Sequence, residues 1–321
     1  MTSSRNGDID PRYEHLERNL NGIVAADLGT FLKLEILPRA CLMSPWLPSG
    51  GLTQLYAYRG VGKTFFALNV GYAVATGGEY LGWKCPTPKR VLYIDGEMPA
   101  ADMQDRLRMI RGDEIMTSEN FKIITPDFQV MVTPNLATEE GQQNLESYTS
   151  EADLIIVDNI STLCRTRKEN DSDQWTQVQL WLLKMRSEGR SVLLVHHAGK
   201  NGNQRGTSAR EDVLDTVIAL KRSKGSSPTE GANFEVHFEK NRGFTGTDAQ
   251  AFNATLSIEN GKQKWSRQSL VDSTFNRCVA LANQGLEQSE IVIELDVHKS
   301  TVSRCLKKAR AEGLIKTNGH D

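Results

Sequence analysis

Arg59-Gly60-Val61-Gly62-Lys63-Thr64-Phe65 holds the residue types that a triphosphate needs, at a spacing that suits it. Glycines let backbone N–H groups converge on phosphate oxygens at a helix N-terminus, where the helix dipole also favours an anion. Lys63 would reach the β and γ phosphates, and the Thr64 hydroxyl would face Mg²⁺. The run Leu52–Ala57 before the loop and Phe65-Phe-Ala-Leu-Asn-Val-Gly-Tyr-Ala-Val-Ala75 after it read as the flanking strand and helix. The strict pattern has glycine five residues before Gly62; Ala57 stands there, the mildest departure. Phosphate binding alone leaves kinases, GTPases, transport ATPases and recombinases open.

Two carboxylates narrow the chemistry. Leu154-Ile-Ile-Val157 is an apolar strand run ending in Asp158, so that carboxylate emerges at the C-terminal edge of a central strand and can hold Mg²⁺ through water. Hydrolysis also needs a group to orient or activate water, and Asp158 is committed to the metal. Glu97 is the candidate: it follows the strand Val91–Ile94, and Gly96 permits the sharp exit that would swing it over the γ-phosphate. Asp95 competes for the role.

These residues need a scaffold, and the chain supplies alternating strand and helix patterns. Residues 90–95, 121–125, 154–157 and 191–195 read as strands; residues 101–111, 139–150 and 174–188 read as helices, the last with Trp175, Val178, Leu182 and Met185 at helical spacing. Such alternation implies a parallel sheet covered on both faces. Beyond Val217 the runs Val217–Leu220, Asn233–Glu239 and Phe252–Leu256 are β-rich and joined by turns, an antiparallel extension. From Ser269 the pattern is helical. The expected divisions are a lead-in arm over 1–48, frayed to about residue 20, an ATPase domain over 49–268 and a helical domain over 269–321.

At 321 residues the chain is long enough for one large α/β domain and a smaller one. The net charge of −2 excludes a generally basic nucleic-acid binder, so such contacts must come from local patches. Five scattered cysteines without a C-x-x-C pair suit reduced thiols, and no apolar run approaches the length of a bilayer span. A soluble, cytoplasmic protein is expected, with no membrane partner.

A candidate base after the second strand, in Leu92-Tyr-Ile-Asp-Gly-Glu-Met98, resembles the RecA-like P-loop ATPases, and in particular the RepA-type plasmid helicases related to DnaB. Val157-Asp-Asn-Ile-Ser-Thr-Leu163 is similar to their Walker B segment. The resemblance covers roughly residues 40–258 and implies an α/β RecA-like fold, ATP and Mg²⁺ as ligands, and a homo-oligomer, in this family a hexamer. It implies that His197, at the end of Val192-Leu-Leu-Val-His-His197, senses the γ-phosphate and relays it to a mobile DNA loop, with His196 a weaker match. Gly199 to Arg210 carries Lys200, Arg205 and Arg210 among small polar residues and suits phosphate contacts; Arg165 and Arg167 lie where this superfamily puts its other DNA loop. Lys240-Asn-Arg242-Gly is similar to the segment whose two cations reach the neighbouring subunit's nucleotide.

Residues 287–315 resemble a helix-turn-helix, with Gln288 opening the first helix, Asp296 and Val297 in the turn, and Val302 locking the second helix. Between Asp296 and Lys316 there are six Lys or Arg against two acids. That surplus favours duplex contact by the second helix, led by Lys299, Ser300, Ser303 and Arg304. The whole implies an ATP-dependent DNA-binding motor that takes single-stranded DNA at its loops. An ATP-gated DNA-binding regulator without strand separation, and less readily a P-loop kinase, also stay open.

Overall fold

The computed structural model describes residues 16–18, 22–112, 119–130, 132–165, 172–199, 211–223 and 232–315. The chain divides into two compact units, residues 1–40 and 41–321. In the first, β1 (Glu17–Arg18) pairs antiparallel with β2 (Val24–Ala25), and α1 (Leu28–Lys33) is capped by Asp27, whose carboxylate accepts from Thr30 N at 3.1 Å. Most of the segment expected to be frayed, residues 1–15, lies outside the described residues.

The second unit opens with a small hairpin, β3 (Cys41–Met43) and β4 (Leu47–Pro48). Met43, Trp46 and Leu47 are fully buried in its core, so residues 41–48, read above as part of the lead-in, pack with the α/β unit. Then follow β5 (Leu52–Ala57), α2 (Lys63–Thr76), the hairpin β6 (Glu79–Tyr80) and β7 (Trp83–Lys84), β8 (Val91–Asp95), α3 (Ala100–Arg111), β9 (Phe121–Ile124), α4 (Glu139–Thr149), β10 (Leu154–Asp158), the single turn α5 (Ile160–Leu163), α6 (Ser172–Ser187) and β11 (Ser191–His197). The sheet continues with β12 (Thr216–Arg222), β13 (Asn233–Asn241), β14 (Phe252–Glu259) and β15 (Lys262–Ser269).

Among the described residues, nine strands form one sheet in the order β9-β8-β10-β11-β5-β12-β13-β14-β15. Pairing is parallel from β9 to β12 and antiparallel from there to β15. This is the α/β class expected from the sequence, a mostly parallel sheet with an antiparallel extension. Every residue of β5, β8 and β10 is buried, as a parallel strand covered on both faces must be. Alternate side chains feed two cores. Ile156 and Tyr93 pack with Phe66, Val70 and Val74 of α2, while Ile155, Val157 and Ile94 pack with Val178, Leu182 and Met185 of α6.

The sequence pattern did not reveal β15. Lys-Gln-Lys-Trp-Ser-Arg-Gln-Ser has a single large apolar residue, which an edge strand tolerates because its outer side faces water and its backbone is held by β14 from Phe252↔Ser269 to Glu259↔Lys262. The hairpins β3–β4 and β6–β7, with strands of two or three residues, are too short to show a period.

The C-terminal part is α-helical: α7 (Leu270–Asn283), α8 (Gln288–Leu295) and α9 (Lys299–Ala311). They share a small core of Phe275, Cys278, Ile291, Leu295, Val302, Leu306, Ala309 and Ile315. A capping box between Glu287 and Glu290 starts α8, and Asp296 ends it in the left-handed region at φ 46°. Aspartate tolerates that conformation because its short polar side chain can bond locally.

Candidate nucleotide-binding site

The carboxyl ends of the parallel strands converge on a cleft of about 740 Å³ whose lining includes Lys63, Thr64, Asp95, Glu97, Asp158 and His197. Arg59, Gly60, Gly62 and Phe65 line it too, and Val61 is buried beside it. Register sets the positions: His197 is paired with Ala57, and Asp158 with Asp95. The site therefore lies where open α/β sheets bind ligands. Gly62 has φ 127°, and a Cβ there would meet the Phe234 ring at 2.9 Å, so glycine is required at the entry to α2.

Lys63 is only 6% exposed. Its Nζ donates to the carbonyl of Ala57 at 3.1 Å and of Tyr58 at 3.0 Å, leaving one N–H for an incoming oxygen. Ala57 thus serves the loop through its backbone carbonyl, a contact that alanine makes as glycine would. Burial lowers the Lys63 pKa, and the carboxylates of Asp158 and Glu97 hold it up.

Asp158 is almost fully buried. Burial raises its pKa, while hydrogen bonds from Tyr93 and Thr64 and the Lys63 charge favour the carboxylate. The Tyr93 hydroxyl donates at 2.6 Å. The Thr64 hydroxyl and Asp158 carboxylate, already hydrogen-bonded, are hard oxygen donors beside the phosphate loop and fit Mg²⁺. That ion would neutralise charge on the phosphates, with water completing its shell.

Glu97 is the more open acid, its side chain 47% exposed, on a turn pinned from three sides. Gly96 N donates to the Asp158 carbonyl at 2.8 Å, Met98 N donates to Asp95 Oδ2 at 2.9 Å, and a Cβ on Gly96 would meet Thr162 Oγ1 at 2.3 Å. Asp95 is thereby committed to the turn, and burial pushes its pKa up to about 7, with Asp158 adding to the rise. Geometry so favours Glu97 over Asp95 as the group facing water. His197 Nε2 lies 3.8 Å from Glu97 Oε1 and 3.3 Å from Asn159 Nδ2. Burial, with Lys63 adding to it, lowers the His197 pKa and so favours the neutral ring, while the Glu97 carboxylate opposes the shift.

Several site residues escaped sequence reasoning. Tyr93 reads as one more buried strand residue, and Asn159 only as part of the segment after Asp158. Asp102 and Arg106 of α3 also line the cleft, and the Arg106 guanidinium sits 4.4 Å from the Phe65 ring centroid. Their i,i+4 spacing was the available signal.

Other expected residues lie elsewhere. Thr216 of β12 pairs with Thr53 in parallel and with Asn241 in antiparallel register, so Lys240 and Arg242 sit two strands from β5 and level with its start, at the end of the sheet opposite Lys63. There Lys240 Nζ donates to the Glu211 carbonyl and Arg242 Nη2 to the Asp212 carbonyl at 3.3 Å. Burial and the adjacent Arg242 lower the Lys240 pKa. The Arg165 guanidinium donates to the carbonyls of Thr133 at 2.6 Å and Thr162 at 3.2 Å, bracing the segment after α5. Arg167, Lys200, Arg205 and Arg210 lie outside the described residues. Lys299, Ser300, Ser303 and Arg304 are all exposed near the start of α9, whose buried Val302 and Leu306 face the other helices.

A strand, glycine loop and helix with a buried lysine, a Thr–Asp pair and a second acid above them define a P-loop ATPase domain. The chain belongs to the family described as AAA domain, whose model matches residues 14–203. That match includes Lys63, Glu97, Asp158 and His197 and ends before Lys240, Arg242 and the C-terminal helices. No curated protein matches the chain. Among solved structures it is similar to a KaiC-like protein from the hyperthermophilic archaeon Pyrococcus horikoshii OT3, at 16% identity and a TM-score of 0.48, covering 72% of this chain and 100% of that one. Among the described residues no helix is long and apolar enough to cross a membrane.

Proposed function

We propose that this chain is an ATP-dependent DNA-binding motor, a RepA-like replicative helicase or helicase-like ATPase of a plasmid or other mobile element. It works as a homo-oligomer, a hexameric ring, and hydrolyses Mg-ATP at its subunit interfaces. The observation that carries this reading is the position of Lys240 and Arg242 at the end of the sheet opposite the P-loop. Those cations cannot serve the nucleotide of their own chain, whereas head-to-tail association would bring one subunit's far end toward the next subunit's cleft. A cation supplied in trans stabilises the charge of the transferring phosphoryl group.

Within a subunit, the loop N–H groups and Lys63 bind the phosphates, Thr64 and Asp158 hold Mg²⁺, Glu97 orients the attacking water and His197 responds to the γ-phosphate. DNA contact is divided between the segments around Arg165–Arg167 and Lys200–Arg210, for single strands, and α9 with Lys299, Ser300, Ser303 and Arg304, for duplex. The exposed cations of α9 above a buried Val302–Leu306 face support the second assignment. The test is strand displacement on a forked duplex, together with hydrolysis with and without single-stranded DNA. Displacement that is lost in Lys63→Ala is expected; DNA-stimulated hydrolysis without displacement would leave an ATP-gated DNA-binding regulator instead.

A further inference from the structure

The side-chain amide of Asn159 has one orientation that suits its neighbours. Asn159 is the N-cap of α5, and its Oδ1 accepts from Ser161 N at 2.9 Å. A cap must accept, so the oxygen is committed to the helix. The other end, Nδ2, only donates, and it faces His197 Nε2 at 3.3 Å. A donor aimed at Nε2 requires a lone pair there. In a neutral imidazole the single proton is then on Nδ1. Beyond Nε2 stands Glu97 Oε1 at 3.8 Å, an acceptor and too distant for a direct hydrogen bond.

We propose that Asn159 is a positioning residue that fixes His197 in its Nδ1–H tautomer, so that His197 turns a hydrogen-bond acceptor, not a donor, toward Glu97 and the γ-phosphate position. The inference rests on the reading of Glu97 given above and adds a chemical partner for His197. Phosphate oxygens accept only, so an acceptor Nε2 can respond to the γ-phosphate only through a donor that lies between them. What Nε2 can take is an O–H, and the attacking water has two. One O–H points to Glu97 and the other to Nε2, a one-for-one exchange with the Asn159 amide, because Nε2 has a single in-plane lone pair. Two hydrogen bonds of about 2.8 Å from one water span roughly 4.5 Å between acceptors, so the half-exposed Glu97 side chain needs to draw back by less than about 1 Å from its 3.8 Å spacing. When the water oxygen bonds to the γ-phosphorus, its first proton passes to Glu97, the second stays on the product phosphate, and the bond to ADP breaks with its electron pair on ADP. His197 directs the water and takes no proton.

The direct test is the ¹⁵N spectrum of the full chain labelled in histidine, recorded by magic-angle spinning so that oligomer size does not matter, with His197 assigned by its loss in His197→Gln. The expected wild-type result is a protonated Nδ1 and an unprotonated Nε2. Asn159→Asp keeps an oxygen for the cap and replaces the amide donor by a second acceptor, so it should move the proton to Nε2. In that variant kcat should fall about 10-fold or more, with the KM for ATP changed less than about threefold. A wild-type Nε2–H, or an Asp variant with the wild-type tautomer, overturns the inference even if Glu97→Gln abolishes hydrolysis. An Nδ1–H tautomer together with wild-type hydrolysis in Glu97→Gln would instead overturn the role given to Glu97, and with it the shared water.

Discussion

The cleft at the carboxyl end of the sheet and the outer face of α9 both concentrate charge, but in opposite surroundings. Lys63, Asp95 and Asp158 are buried, and each is held by groups from other segments: Lys63 by strand-end carbonyls, Asp158 by Tyr93, Asp95 by the turn that carries Glu97. Lys299, Ser300, Ser303 and Arg304 are exposed on a helix whose opposite face makes the small C-terminal core. Buried charges depend on one another, because removing one leaves its partners desolvated and unpaired. Exposed charges act nearly independently and are screened by salt. Substitutions in the cleft should therefore be large and non-additive, and those on α9 small and additive.

The largest expected effect is that of Lys63→Ala, a loss on the order of 10³-fold or more in kcat/KM for ATP, measured by phosphate release. Glu97→Gln should lower kcat by about 10² or more while nucleotide binding, followed by a fluorescent ATP analogue, persists. Combining Glu97→Gln with His197→Gln should cost little more than Glu97→Gln alone, and a multiplicative loss would break the picture of interdependent groups. In the helical module, Leu306→Ala removes a buried side chain from a core of eight residues and should destabilise it by about 2–5 kcal/mol, seen as earlier melting of that module, with ATP hydrolysis in the absence of DNA retained. Equal loss of basal hydrolysis would show the two regions to be one cooperative body. Lys299→Ala and Arg304→Ala should each reduce the salt slope of duplex binding by about one unit, and the two reductions should add.

A smaller effect separates the regions by pH. Burial lifts Asp95 to about 7 in the folded chain, against an ordinary aspartate value of about 4. Between those values the folded state keeps a proton that the unfolded chain has released, so stability falls as pH rises from about 4 to about 7. Without nucleotide, the wild-type denaturation midpoint should drop between pH 5 and pH 8 more than that of Asp95→Asn, which cannot ionise. Parallel behaviour of the two proteins would contradict the buried state of Asp95.

What the sequence discloses follows from how far apart the cooperating residues lie. The loop, its strand and its helix are contiguous, and Asp158 and Glu97 each end a strand that is apolar enough to recognise. The mostly parallel sheet follows from the same alternation. Tyr93, Asn159 and Arg106 take their roles from side chains 65, 38 and 41 positions away, Asp158, His197 and Phe65, and no local pattern records such a pairing. Arg165 looks like a free cation in sequence, yet its guanidinium also braces two backbone carbonyls. For the same reason β15, polar along its length, shows itself only once β14 is beside it.

If each nucleotide is completed by the neighbouring chain, as proposed, mixing two inactive kinds of subunit restores hydrolysis. Arg242→Ala subunits keep Glu97, and Glu97→Gln subunits keep Arg242, so neither alone should hydrolyse ATP. Random assembly at equal amounts pairs an intact Glu97 with an intact neighbouring Arg242 at about one site in four, and activity should return toward a quarter of wild type if sites fire independently. No recovery at any ratio, with both variants shown to co-assemble, would contradict hydrolysis at subunit interfaces.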